Sequence, residues 1–199
     1  VYLDTSGYRE PLSTPADHFR YNRTYSINSY SAGSLFLNQL EYIVGEEAFA
    51  RGMMRYWQKW RFKHPKPEDF LRIMEIESDM ELDWYLSYYR DQVKSIDYAV
   101  ASVESDQVGT QITLPRVGLF PMPVDVMVLY EGGRKELHTI PLMSMYGAKH
   151  QEGLEVHQPW PWTHPEYKLF IPGKETVMGV EIDPSKRMLD IDRNNNLYE

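Results

Sequence analysis

Between Gly33 and Gly45 runs Ser-Leu-Phe-Leu-Asn-Gln-Leu-Glu-Tyr-Ile-Val, the stretch that most restricts how this 199-residue chain can fold. On a 3.6-residue wheel its polar side chains Ser34, Asn38 and Glu41 fall on one narrow strip, and Leu35, Phe36, Leu37, Leu40, Ile43 and Val44 fill most of the rest. A helix apolar on so many sides is expected to be buried inside a larger body. Tyr25 and Tyr30 stand before it, so their hydroxyls are expected where the buried helix begins. Gly45 is placed to end the helix as a left-handed residue.

The next segments continue the helical period. Glu46-Glu47 put acids at the positive end of a second helix, along which Phe49, Met53, Tyr56, Trp57 and Trp60 form one apolar stripe. Glu47, Arg51 and Arg55 recur at i, i+4 on its solvated side. This predicts an αα-hairpin with Gly45 at the corner. Pro67, followed by Glu68-Asp69, opens a third helix carrying Phe70, Leu71 and Met74. A fourth is expected from about Glu81 to Asp91, with Leu82, Tyr85, Leu86 and Tyr89 inward. Residues 1–23 show no sustained period and read as a connection laid over a surface.

Near Asp97 the period drops from 3.6 to 2. Ile112 and Leu114 alternate with Gln111 and Thr113, and Val124, Val126, Val128 and Tyr130 alternate with Asp125, Met127 and Leu129. Glu131-Gly132-Gly133-Arg134 signals a hairpin into Lys135–Leu142. Further strands are expected at Tyr98–Glu104, Tyr167–Ile171, Val177–Ile182 and Met188–Ile191. The fold class is therefore α+β, an all-α subdomain over residues 1–95 followed by a small antiparallel β-sandwich over 96–199.

Composition removes whole classes of function. A net charge of −8 without a Lys/Arg cluster argues against nucleic acid or an anionic lipid surface as partner. No run of about 18 apolar residues is present, so no membrane span is expected. The absence of cysteine excludes disulfides, thiolate metal sites and a cysteine nucleophile. A start at Val1, with no signal peptide following, is expected of a processed or excised chain.

Candidate chemistry is sparse. The six histidines, His18, His64, His138, His150, His157 and His164, include no HExxH and no i, i+4 pair on a helix, so surface or loop histidines are expected and no metal ligand is assigned. No serine lies in G-x-S-x-G, and Gly132-Gly133 joins strands rather than cradling a phosphate. Trp160 and Trp162 could offer a platform for a peptide or glycan, or could plug an interdomain seam, the commoner use of tryptophan. Tyr25 and Tyr30 could donate to charge developing on a carbonyl oxygen, or could be core tyrosines bonded to backbone.

The order Tyr25-x-x-x-x-Tyr30-x-x-Gly33, an apolar helix, Val44-Gly45-Glu46-Glu47-Ala48-Phe49 and an Arg/Tyr/Trp-rich helix resembles the M1 family of zinc aminopeptidases (gluzincins). His64-Pro65-x-Pro67-Glu68-Asp69-Phe70-Leu71 and Leu82-Asp83-Trp84 are similar to the segments that follow, and the match runs over residues 25–90. The β-rich half resembles the sandwich domain after the catalytic domain, with Asp183-Pro184 through Asp192-Arg193-Asn194 similar to its end in bacterial members.

The resemblance implies that residues 1–95 are the C-terminal portion of a thermolysin-like peptidase domain. It implies that Tyr30, three residues before the glycine, stabilises the tetrahedral oxyanion opposite the zinc, and that Tyr25 lines the same cleft. It implies zinc and a peptide substrate for the full-length parent, together with an upstream half that supplies HExxH, the later glutamate and the glutamates that hold a free amino terminus. None of these is in the chain, so no cofactor and no activity are expected of it alone; substrate-binding residues are not assigned. A non-catalytic module or pseudoenzyme, binding peptide or glycan through the β half, is the alternative. Ala32 and Lys66 depart from the family's usual Lys and Ser/Thr. Cysteine-free bacterial relatives are often exported, which implies an extracytoplasmic location.

Overall fold

The computed structural model describes residues 9–199, which form two compact units. One holds the residues up to Lys94 together with Ser144–His150; the other holds Ser95–Met143 and Gln151–Glu199.

In the helical unit, α1 (Asn22–Ile27) leads through a single π-helical turn (Asn28–Ala32) into α2 (Gly33–Val44), followed by α3 (Glu46–Trp60), α4 (Pro67–Ser78) and α5 (Asp83–Asp91). Tyr25 and Tyr30 thus lie within helical turns rather than ahead of the helix. Burial of α2 is also uneven. Its second half buries Gln39, Leu40, Tyr42, Ile43 and Val44, while Leu35 and the polar strip of its first half stay exposed. Gly45 closes α2 with φ 86° but ψ 153°, an extended positive-φ corner rather than the left-handed helical one expected.

α3 packs only part of the expected stripe: Phe49, Tyr56 and Trp60 are half-buried, with Tyr56 edge-on to Phe70 at 5.0 Å. Its buried residues are Ala48 and Gly52, and a Cβ on Gly52 would meet Met74 Sδ at 2.4 Å, so the lack of a side chain lets α4 approach closely. Met53 and Trp57 remain exposed, Trp57 by 60%. Arg51 and Arg55 turn to α4 and clamp Glu77, at 3.2 and 2.6 Å. At the start of α4 the Asp69 carboxylate accepts from the Lys66 amide at 2.9 Å. The cap comes from the third helical residue, so Lys66 need not be Ser or Thr.

Residues 144–150, read from the sequence as part of the β half, group with the helices. The Lys149 ammonium is buried, donates to the Tyr42 carbonyl at 3.0 Å and lies 4.2 Å over the Tyr42 ring. The Met145 carbonyl accepts from the Glu81 amide at 2.8 Å.

The β unit contains a three-stranded and a five-stranded sheet. The first has the order β1 (Ser102–Ser105), β2 (Gly109–Pro115), β6 (Glu166–Pro172). The second has the order β5 (Leu154–Val156), β4 (Lys135–Ile140), β3 (Val124–Tyr130), β7 (Val177–Ile182), β8 (Leu197–Tyr198). Alternation in β2 and β3 buries Ile112, Leu114, Val124, Val126 and Val128. Gly132 and Gly133, with φ of 86° and 88°, make the β3–β4 hairpin. Pairing is antiparallel throughout except between β4 and β5, which run parallel.

Two strand expectations are corrected. Tyr98 makes only an isolated bridge to Arg116, and β1 starts at Ser102. Met188–Ile191 forms no strand but only a single parallel bridge between Asp190 and Ile96, where the Ile191 amide donates to the Ile96 carbonyl at 3.0 Å, while the Met188 amide is taken by a side chain. Asp183, fully buried, accepts from the Arg187 and Met188 amides, the Ser185 hydroxyl and the Arg193 guanidinium. Asp190 accepts from the amides of Tyr98 and Asp192.

Candidate active site

The π turn is tied down on both sides of Tyr30. Asn28, buried, donates through Nδ2 to the Glu10 carbonyl at 3.0 Å, and the Glu10 carboxylate accepts from the Arg20 amide at 3.2 Å. The Tyr89 hydroxyl of α5 donates to the Ala32 carbonyl at 2.8 Å. One turn on, the Tyr85 hydroxyl donates to the Phe36 carbonyl at 2.9 Å and to Gln39 Oε1 at 3.3 Å. The Phe36 ring stacks on Tyr85 at 4.8 Å and meets Tyr89 edge-on at 5.2 Å. Burial pushes the Tyr85 phenol well above its ordinary pKa, so it stays a donor.

On this support Tyr30 is 82% exposed, and its hydroxyl has no hydrogen-bond partner among the described residues. A π turn is rare in a helix and is found mostly at functional positions. The arrangement fixes the backbone and leaves a phenol donor free for something outside the unit. Tyr25 differs: 40% exposed, its ring rests edge-on against Phe19 at 5.7 Å.

Metal-binding donors converge at two places among the described residues, His138/Glu155/His157 and Glu75/Glu81/Asp83, and neither set includes Tyr25 or Tyr30. The second is all carboxylate, and its one buried member is already used. Glu75 accepts from the Leu82 amide at 3.0 Å, capping α5, and lies 3.3 Å from Arg72. The catalytic zinc of a metallopeptidase needs a His/Glu set facing the oxyanion donor. These residues do not supply one beside Tyr30. A cleft of about 460 Å³ lies between the ends of α4 and α5, lined by Arg72, Glu75, Asp79, Glu81 and Tyr146, and includes neither tyrosine.

The aromatic platform is overturned for Trp160. It is 2% exposed, donates through Nε1 to the His164 carbonyl at 3.0 Å and packs edge-on to Tyr98 at 5.5 Å. Trp162 is covered by the Arg116 guanidinium, 3.3 Å from the ring centre.

Two features escaped the sequence reading. Tyr85 and Tyr89 were expected inward, yet as hydroxyl donors to α2 they do more than fill space. The signal was two tyrosines at i, i+4 where phenylalanine would bury as well, since a buried hydroxyl needs an acceptor. His138 and His157, expected as separate surface or loop histidines, are brought to 2.9 Å from one another. The signal there was Glu155-x-His157, two polar residues on one face of an extended segment.

Compared with known proteins, residues 1–89 match the Peptidase family M1 domain. The chain is 29% identical over 100 residues to the glutamyl aminopeptidase of Sus scrofa, covering 50% of this chain and 10% of that protein. It is 30% identical over 73 residues to endoplasmic reticulum aminopeptidase 1 of Mus musculus, covering 36% and 8%. The crystal structure of Legionella pneumophila aminopeptidase A in complex with aspartic acid shares the fold, with a TM-score of 0.60 at 11% identity. That match covers 96% of this chain and 20% of that one. The chain thus spans about a tenth of the length of the curated relatives it matches.

Proposed function

We propose, from the match of residues 1–89 to the Peptidase family M1 domain, that the parent protein hydrolyses peptide bonds at the amino terminus of its substrates, with Tyr30 as oxyanion donor. The observation that carries this reading is the Tyr30 phenol, anchored through Asn28 and Ala32 yet free at its hydroxyl. When a carbonyl is attacked, negative charge moves onto its oxygen. A phenol held in place gives a hydrogen bond that strengthens as the charge develops and needs no reorganisation at that moment. The anchored turn fixes the backbone from which that donor extends. Tyr25, five residues earlier, would line the substrate cleft that the parent completes.

The zinc ligands, the general base and the groups that hold a free amino terminus belong to an upstream half of the parent, outside this 199-residue sequence. The exposure of Leu35, Met53, Met54 and Trp57 supports this, because so many apolar side chains left open on two helices suit a surface that more of the domain covers. The 199-residue chain alone is therefore inactive. An extracytoplasmic location belongs to the same proposal.

The test is an aminoacyl-anilide assay on the 199-residue chain with added zinc, beside a longer protein that joins it to an HExxH-bearing half. Turnover by the longer protein only is expected. Equal turnover by the short chain would overturn the proposal, as would a longer natural protein that holds zinc and hydrolyses nothing.

A further inference from the structure

The β unit carries a cluster that the peptidase reading leaves unused. Parallel register sets His138 of β4 opposite Glu155 of β5. The two-residue period of a strand then puts His157 on the same face as Glu155. The His157 amide donates to the Thr139 carbonyl at 2.9 Å, which extends the pairing past β5 and fixes the ring's origin. As a result His138 Nδ1 lies 2.9 Å from His157 Nε2 and 3.4 Å from Glu155 Oε2, and His157 Nε2 lies 3.9 Å from Glu155 Oε1.

These separations resemble the edges of a coordination tetrahedron. An ion with bonds of about 2.0–2.1 Å holds neighbouring ligand atoms roughly 3.3 Å apart. Two imidazoles and a carboxylate are a donor set that zinc accepts, with a fourth position left for water.

Burial is graded across the cluster. His138 is fully buried, His157 is partly buried, and the Glu155 side chain is 59% exposed, so solvent reaches the cluster from the Glu155 side.

The second ring nitrogen gives an independent indication. His138 Nε2 is buried, makes no hydrogen bond, and points toward Glu136, whose Oε2 is 3.8 Å away. An ion on Nδ1 would fix the proton on Nε2, and a carboxylate behind a ligating histidine is the usual outer partner. Glu136 is itself held by the Tyr130 hydroxyl at 2.6 Å and by the Arg134 guanidinium. Ligand, outer carboxylate and its supports thus follow one another along β4 and the hairpin before it.

We propose that His138, His157 and Glu155 bind one divalent transition-metal ion, zinc by the chemistry of the donors, which clips the short edge strand β5 to β4. The three ligands include neither Tyr25 nor Tyr30.

The test is calorimetric titration of Zn²⁺ alone into the tag-free, chelator-treated 199-residue chain, repeated with Co²⁺ to read the visible bands of a four-coordinate ion. One equivalent is expected to bind. Affinity should fall at least about 100-fold in His157→Gln and in Glu155→Gln, and about 10- to 100-fold in Glu136→Gln. His150→Gln, His164→Gln and Tyr30→Phe should bind as wild type. Unchanged far-UV circular dichroism certifies the fold of each variant, and Glu155→Gln, at an exposed position, decides if a histidine variant fails it. No saturable binding, or full binding by Glu155→Gln, would mean that the histidines form only a hydrogen-bonded pair, and would overturn the site.

Discussion

Tyr30 differs from Tyr85 and Tyr89 in what its hydroxyl meets. Theirs donate to carbonyls of the helical stretch that carries it, and its own is open. Tyr89→Phe keeps the ring against Phe36 and removes one donor from the Ala32 carbonyl. Thermal unfolding of that variant should show a loss of about 1 kcal/mol. In the parent enzyme it should lower kcat while leaving KM near wild type, because the support moves and the binding groups do not. The two tyrosines of the active-site proposal were singled out by the resemblance to family M1, since the residues alone left a catalytic and a core role both open. Their supports were not, since inward tyrosine and inward phenylalanine give the same periodicity and only the partner carbonyl separates them.

Among elements, α3 and α4 show best why apolar pattern and packing diverged. The larger stripe looked like the buried face, yet Met53 and Trp57 stay exposed, and beside the Tyr56–Phe70 contact α4 approaches closely at Gly52, where no side chain intervenes. Gly52→Ala should therefore destabilise by about 1–3 kcal/mol in denaturant unfolding, because its Cβ overlaps a Met74 that is itself fully buried.

The same pair gives a pH prediction. The Arg55 and Arg51 guanidiniums hold the Glu77 carboxyl below its ordinary pKa of 4.5. A depressed folded-state pKa contributes stability that is present above the unfolded value and disappears as pH falls through the folded one. Melting temperature should thus drop more steeply below about pH 4.5 in wild type than in Glu77→Gln, and the two curves should converge at the acid end. In the β unit, the alternating strands and the Gly-Gly hairpin were readable. The Asp183 and Asp190 turns were not, because a carboxylate that collects amides several residues away leaves no period behind.

For the whole molecule, what the sequence could convey was a sequence of elements and a family resemblance, and both units carry elements of the expected kinds. The parallel β4–β5 pair and its histidines were out of reach, because register across a long connection is set by tertiary packing rather than by local pattern. The exposed Trp57 offers a test of the proposed missing half. Its emission, isolated as the difference between wild type and Trp57→Phe, should shift to shorter wavelength in a longer protein that contains the HExxH half. An unshifted difference spectrum would place that half elsewhere. The central claim rests on one hydroxyl, and steady-state kinetics of Tyr30→Phe in that longer protein measures it most directly. The account predicts kcat lower by about 100- to 1,000-fold with KM little changed; a folded variant that turns over like wild type would contradict it.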